Sequence, residues 1–141
     1  MRRPLTLPER VMHQDGRVPI AIVLPIEIRG QLSEERLHRA LAGLQAKHLL
    51  LRCLIEYKDG HPWFEVQESP PPIPLRILTR RNADDWVREC GNEEARLFDA
   101  GAPLVRLTWL RGEEASELLL TCHHCLCDGA SVVTLLRELL L

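Results

Sequence analysis

What the chain lacks bounds its function before any motif is read. It has no basic excess: 18 lysines and arginines stand against 20 acidic residues, for a formal charge of -2 and a pI near 6.3. The basic residues are scattered and have no aromatic residues among them, so no electrostatic footprint for nucleic acid exists and that role is excluded. There is also no apolar run near the ~20 residues needed to span a bilayer. Pro4, Pro8, Glu9 and Arg10 interrupt the stretch where a secretory signal would carry its apolar core. The five cysteines do not form the spaced framework of a secreted disulfide protein, because three crowd together at 122, 125 and 127. Reduced thiols and a cytoplasmic location are the expectation. Internal repeats and low-complexity tracts are absent.

What is present is a chain of 141 residues, 45% hydrophobic and 27% charged, enough for one globular domain with a real core. The Ile- and Val-rich segment from Val18 to Gly30 predicts a strand, with Pro19 and Pro25 placing it at an edge or a bulge. Ser33 is a good N-cap for a helix in which Leu37, Ala40, Leu41 and Leu44 recur at buried-face spacing. Leu51 to Tyr57 and Trp63 to Val66 flank Asp59-Gly60 and predict a tight hairpin. The run Pro70-Pro71-Pro72-Ile73-Pro74 must be extended, and it reads as an internal connector to a short strand at Leu75 to Leu78.

Asn82 is read as the cap of a second helix that runs to Phe98 and buries Trp86, Cys90 and Leu97, with Gly91 weakening its middle. Leu104 to Leu110 and Glu117 to Cys122 predict a strand pair. A very apolar third helix starts at Gly129. It reaches Leu139-Leu140-Leu141 without a closing glycine or a polar final residue, so a continuing polypeptide is expected.

Chemistry concentrates at Cys122-His123-His124-Cys125-Leu126-Cys127-Asp128-Gly129. Histidine is the side chain whose unperturbed pKa lies nearest neutrality, and a histidine at a strand-to-helix junction is a natural general base. Alternation along a strand puts Leu118, Leu120, Cys122 and His124 on one face and Leu119, Thr121 and His123 on the other. The two imidazoles therefore cannot share a pocket while strand geometry lasts. The competing reading makes both histidines satisfied core residues. Cys122, Cys125, Cys127 and the histidines are zinc-type ligands, but a structural zinc site draws on two separated ligand pairs and here all lie within six residues, so no metal is expected. A cysteine nucleophile would need an orienting third group, and none is evident.

These residues, with Phe98-Asp99-Ala100-Gly101-Ala102-Pro103-Leu104-Val105-Arg106 and the upstream Gly30-Gln31-Leu32-Ser33, Leu37, Ala40-Leu41 and His48 to Arg52, resemble the chloramphenicol-acetyltransferase-like superfamily. That superfamily includes the condensation domains of nonribosomal peptide synthetases, polyketide-associated acyltransferases and alcohol acyltransferases. The main motif, His-His-x-x-x-Asp-Gly, stands here as His123 to Gly129. Leu49 departs from the proline often found after the upstream histidine, and the motif interior is unusually rich in cysteine.

The resemblance implies an α/β (α+β) fold, a two-layer sandwich of a mostly antiparallel or mixed sheet with helices packed on one face. Residues 1–141 would form the N-terminal subdomain, one half of the superfamily's fold, truncated at its C-terminus. It implies transfer of an acyl group from a coenzyme A or carrier-protein (phosphopantetheine) thioester to a hydroxyl or amine, with no permanently bound cofactor. His124 would be the general base, while His123, Asp128, Gly129 and Arg106 support the site. Asp128 would cap the third helix or pair with Arg106, and Gly129 would give backbone freedom beside it. The missing C-terminal half would supply much of the donor site, so the fragment alone is expected to be inactive, and its uncovered apolar surface favours self-association. The rival from another class is a non-catalytic interaction or carrier-docking module.

Overall fold

A computed structural model of the chain describes residues 2–9, 21–98, 101–126 and 129–140. The main sheet has four strands in the order β2-β7-β6-β5: β2 is Ala21–Arg29, β5 Leu75–Thr79, β6 Val105–Arg111 and β7 Ala115–His123. The pairs β2·β7 and β6·β7 are antiparallel, whereas β5 runs parallel to β6, giving the mixed sheet that was expected. A smaller sheet joins β1 (Arg2–Pro4), β4 (His61–Val66) and β3 (Cys53–Lys58) in the order β1-β4-β3.

Register fixes which side chains share a face, because neighbours along a strand alternate. Val105, Leu107 and Trp109 stand opposite Cys122, Leu120 and Leu118, and Leu75 and Ile77 continue that face across β5. It is the apolar face. Helix α1 (Glu34–Lys47) and helix α3 (Gly129–Leu140) complete this core with Leu37, Leu41, Leu44, Val132, Leu136 and Leu139. Ser33 caps α1 as its residue type predicts, its Oγ accepting from the Arg36 N–H at 3.4 Å.

The opposite face carries the polar side chains among buried leucines such as Leu110 and Leu119. Arg76, Arg106, Thr108, Glu117 and Thr121 lie on it, and helix α2 (Asp85–Ala95) packs there. The α/β class stands, but the layering differs from the expectation: helices cover both faces of the main sheet, not one.

Helix α2 also differs in the surface it buries. Trp86 is 37% exposed and Leu97 44% exposed, while Asp85, Glu89 and Glu93 are buried. The cause lies across the interface, where the sheet offers Arg76 and Arg106, so the acidic stripe finds partners that an apolar stripe would not. Asn82 is not the cap. Its N–H and that of Arg81 donate to Asp85 Oδ2 at 3.0 and 2.8 Å, which holds the Asp85 carboxyl below its ordinary pKa.

The predicted hairpin forms. Asp59 and Gly60 have φ of 54° and 77°, the left-handed pair that a two-residue turn between twisted strands requires. Strand β3 starts later than expected, because Leu49–Arg52 forms a 3-10 turn first. The proline-rich connector is neither helix nor strand, and Gln45 anchors it by donating to Pro71 O at 2.9 Å while also donating to Leu51 O at 3.1 Å. No helix among the described residues is long and apolar enough to cross a membrane.

Candidate active site

Strand β7 carries the motif to its place and ends inside it. His123 is the last strand residue, paired with Ala21, and His124 is the first residue of the turn that follows. The strand-face alternation therefore separates Cys122 from His123 but no longer governs His124, which the turn directs. This turn is closed by two short bonds. The Leu126 N–H donates to His123 O at 2.9 Å, and the Cys125 N–H donates to His123 Nδ1 at 3.1 Å.

The two histidines have different surroundings. His123 is 5% exposed, its backbone N–H donates to Leu104 O at 2.8 Å, and its ring lies against Phe98 with centroids 5.4 Å apart. Because Nδ1 accepts a backbone N–H, the ring proton of the neutral imidazole sits on Nε2. His124 is half-buried. One ring is committed to the fold and the other retains access to solvent.

Asp128 and Cys127 lie outside the described residues, and so does the Asp128 end of the expected pair with Arg106. Gly129 opens α3. At the Arg106 end the structure shows a partner that the sequence reading missed. Arg106 Nε donates to Glu93 Oε2, and Nη2 donates to the carbonyls of Glu93 and Arg96, each at 3.0 Å. Its guanidinium also sits 4.3 Å from the centroid of the Phe98 ring. A cation over a ring face is held electrostatically, which makes this contact directional.

Glu93 is fully buried. Burial pushes its carboxyl pKa up, but the hydrogen bond from Arg106 and the charges of Arg106 and Arg76 outweigh that push and hold it below the ordinary value of 4.5. The signal was present in the sequence: Asp85, Glu89 and Glu93 recur four apart, the spacing of one helix face.

The upstream motif meets the other side of the core. His48 Nε2 bonds to Glu138 Oε2 at 2.5 Å, and Lys47 Nζ lies 3.2 Å from Glu138 Oε1. Together they tie the exit of α1 to α3, the helix that follows the motif. The His48 bond, followed by Lys47, lowers the Glu138 pKa. Among the described residues no group of three or more histidine, cysteine or acidic side chains is arranged to hold a metal ion.

The family model described as "Condensation domain" matches residues 21–141. Tyrocidine synthase 3 of Brevibacillus parabrevis is 35% identical over 115 residues, which cover 80% of this chain and 2% of that protein. Phosphinothricin tripeptide synthetase PhsC of Streptomyces viridochromogenes is 31% identical over 133 residues, covering 89% of this chain and 12% of that protein. Among solved structures, the first condensation domain of the calcium-dependent antibiotic synthetase superposes with a TM-score of 0.81 at 22% identity, over 99% of this chain and 36% of that one. SgcC5 of Streptomyces globisporus superposes with a TM-score of 0.77 at 23% identity, over 98% and 35%. The chain thus spans about a third of the solved structures it matches and a small part of the synthetases.

Proposed function

The chain belongs to the condensation-domain family, and from that premise we propose that it is the N-terminal half of a domain that joins a carrier-bound acyl group to an amine, with His124 as general base. In this reading the amine nitrogen attacks the thioester carbonyl, the C–N bond forms and the C–S bond breaks. His124 takes the proton from the attacking nitrogen, and the phosphopantetheine thiol leaves with a proton. His123 supports the turn. Asp128, which precedes Gly129 in the sequence, is proposed to support the site.

The observation that carries this reading is the division between the two imidazoles. A general base must reach its proton through open space, and its ring nitrogen must not be spent on the fold. His124, half-buried at the start of the turn, meets the first condition, whereas His123 is sealed against Phe98 with Nδ1 occupied. The 141 residues alone are proposed to turn over no substrate, since they cover 36% of the solved condensation domain.

The test is amide formation by the complete condensation domain. His124→Ala should lower the rate by about 10²–10⁴-fold, the usual contribution of a positioned base, with the fold unchanged by circular dichroism. A rate within tenfold of the parent removes the base from the mechanism and favours a docking role for this half.

A further inference from the structure

Glu93 has no part in the proton transfer assigned to His124, yet three strands converge on its carboxylate. Oε1 accepts from Arg76 Nη2 at 2.9 Å and from Thr108 Oγ1 at 3.2 Å, while Oε2 accepts from Arg106 Nε and from Thr121 Oγ1 at 3.3 Å. Those donors belong to β5, β6 and β7. From this point a continuous series of contacts runs to the motif. Arg106 lies over Phe98 at 4.3 Å, Phe98 meets His123 at 5.4 Å with the rings inclined by 42°, and His123 Nδ1 receives the Cys125 N–H at 3.1 Å. His124 lies between the two ends of that last bond.

We infer that Glu93 is a positioning residue for the histidine turn, acting through Arg106 and Phe98 on His123 and so on the direction in which His124 leaves the strand. The inference rests on the reading of His124 as base. Its physical ground is that a buried ion pair contributes little to stability against a well-packed apolar replacement but fixes geometry well when every donor is matched. Here the pair is matched by four side-chain donors and two strand-spanning hydroxyls among them, and the guanidinium it holds is the one that clamps the aromatic ring. Thr121 gives a second route, because it lies two residues before His123 on the same strand face.

The consequence is spectroscopic and independent of turnover. In the chain labelled with 15N-histidine, long-range proton–nitrogen correlation should show His123 as the Nε2–H tautomer at neutral pH. Glu93→Gln keeps the shape of the side chain and removes its charge. It should move the His123 ring resonances toward the averaged position of exchanging tautomers, while the methyl signals of Leu118, Leu120 and Val132, on the far face of the sheet, stay in place. Phe98→Leu, at a half-buried site, should produce the same His123 response with the Arg106 Nε–H resonance preserved.

A folded Glu93→Gln or Phe98→Leu chain with His123 unchanged overturns the inference. So does an equal shift of the far-face methyls, which would report general loosening. If Glu93→Gln does not fold, Phe98→Leu decides on the same two readings. Should His124→Ala retain activity while His123 still responds to both variants, the general-base reading fails and the positioning contact stands.

Discussion

At the scale of single residues, the decisive fact is that two adjacent histidines of identical chemistry receive different environments from one backbone. The turn starts between them, so His123 inherits the strand's burial and His124 does not. A comparable separation governs the charges. Glu93 and Arg106 are both shielded from water, where removal of one partner leaves the other charge uncompensated. Glu93→Ala should therefore destabilise the fold by about 3–5 kcal/mol in urea denaturation at pH 7.

The pH dependence of that loss has a definite sign. The folded-state pKa of Glu93 lies below the ordinary 4.5, so its contribution is complete above about 4.5, the value taken for the unfolded chain, and declines as pH falls through the lower folded value. The stability gap between the parent and Glu93→Ala should be constant near neutrality and shrink on acidification below about 4.5. A gap that widens in acid contradicts the assignment.

At the scale of elements, turns and strands follow local chemistry closely, and helix faces do not. The Asp59-Gly60 hairpin forms because its two turn residues accept positive φ. The β6–β7 connection depends on glycine for a different reason: a Cβ at Gly112 would come within 2.1 Å of the Ala115 carbonyl oxygen, whereas one at Gly60 would meet nothing within 4 Å. Gly60→Ala should cost about 1 kcal/mol for its backbone conformation alone. Gly112→Ala forces the backbone of the hairpin to move, and its urea midpoint should fall further. Equal midpoints would mean that the connection has room to relax.

Helix α2 shows why an amphipathic pattern is ambiguous at this scale. Trp86 and Cys90 mark one stripe, and Asp85, Glu89 and Glu93 mark another at the same helical spacing. Hydrophobicity alone selects the first. The sheet selects the second, because that face carries the buried Arg106, whose charge would otherwise be unpaired, beside the partly exposed Arg76.

For the whole molecule, two helices close the apolar face of the main sheet and one acidic helix closes the opposite face. The apolar surface is not all enclosed: Val133 and Leu140, seven residues apart on α3, are 55% and 39% exposed, and Leu49 and Leu50 are 39% and 42% exposed. Apolar patches of this kind favour association. The average mass of the isolated chain in light scattering should rise with concentration, and Val133→Glu should suppress the rise. A constant monomer mass at every concentration excludes self-association through this surface.

The sequence by itself determined the order of strands and helices from β2 onward, the Ser33 cap, the tight hairpin and the place of the histidine motif at a strand-to-helix junction. Each of these is set by interactions among residues within a few positions of one another, where backbone dihedrals and hydrogen-bonding side chains leave few choices. Only the tertiary structure decided that helices cover both faces of the sheet, that α2 buries its acids, and that Arg106 is bound by Glu93. Those outcomes depend on which charges distant segments bring together once water is excluded, and a buried arginine takes the carboxylate that packing places beside it.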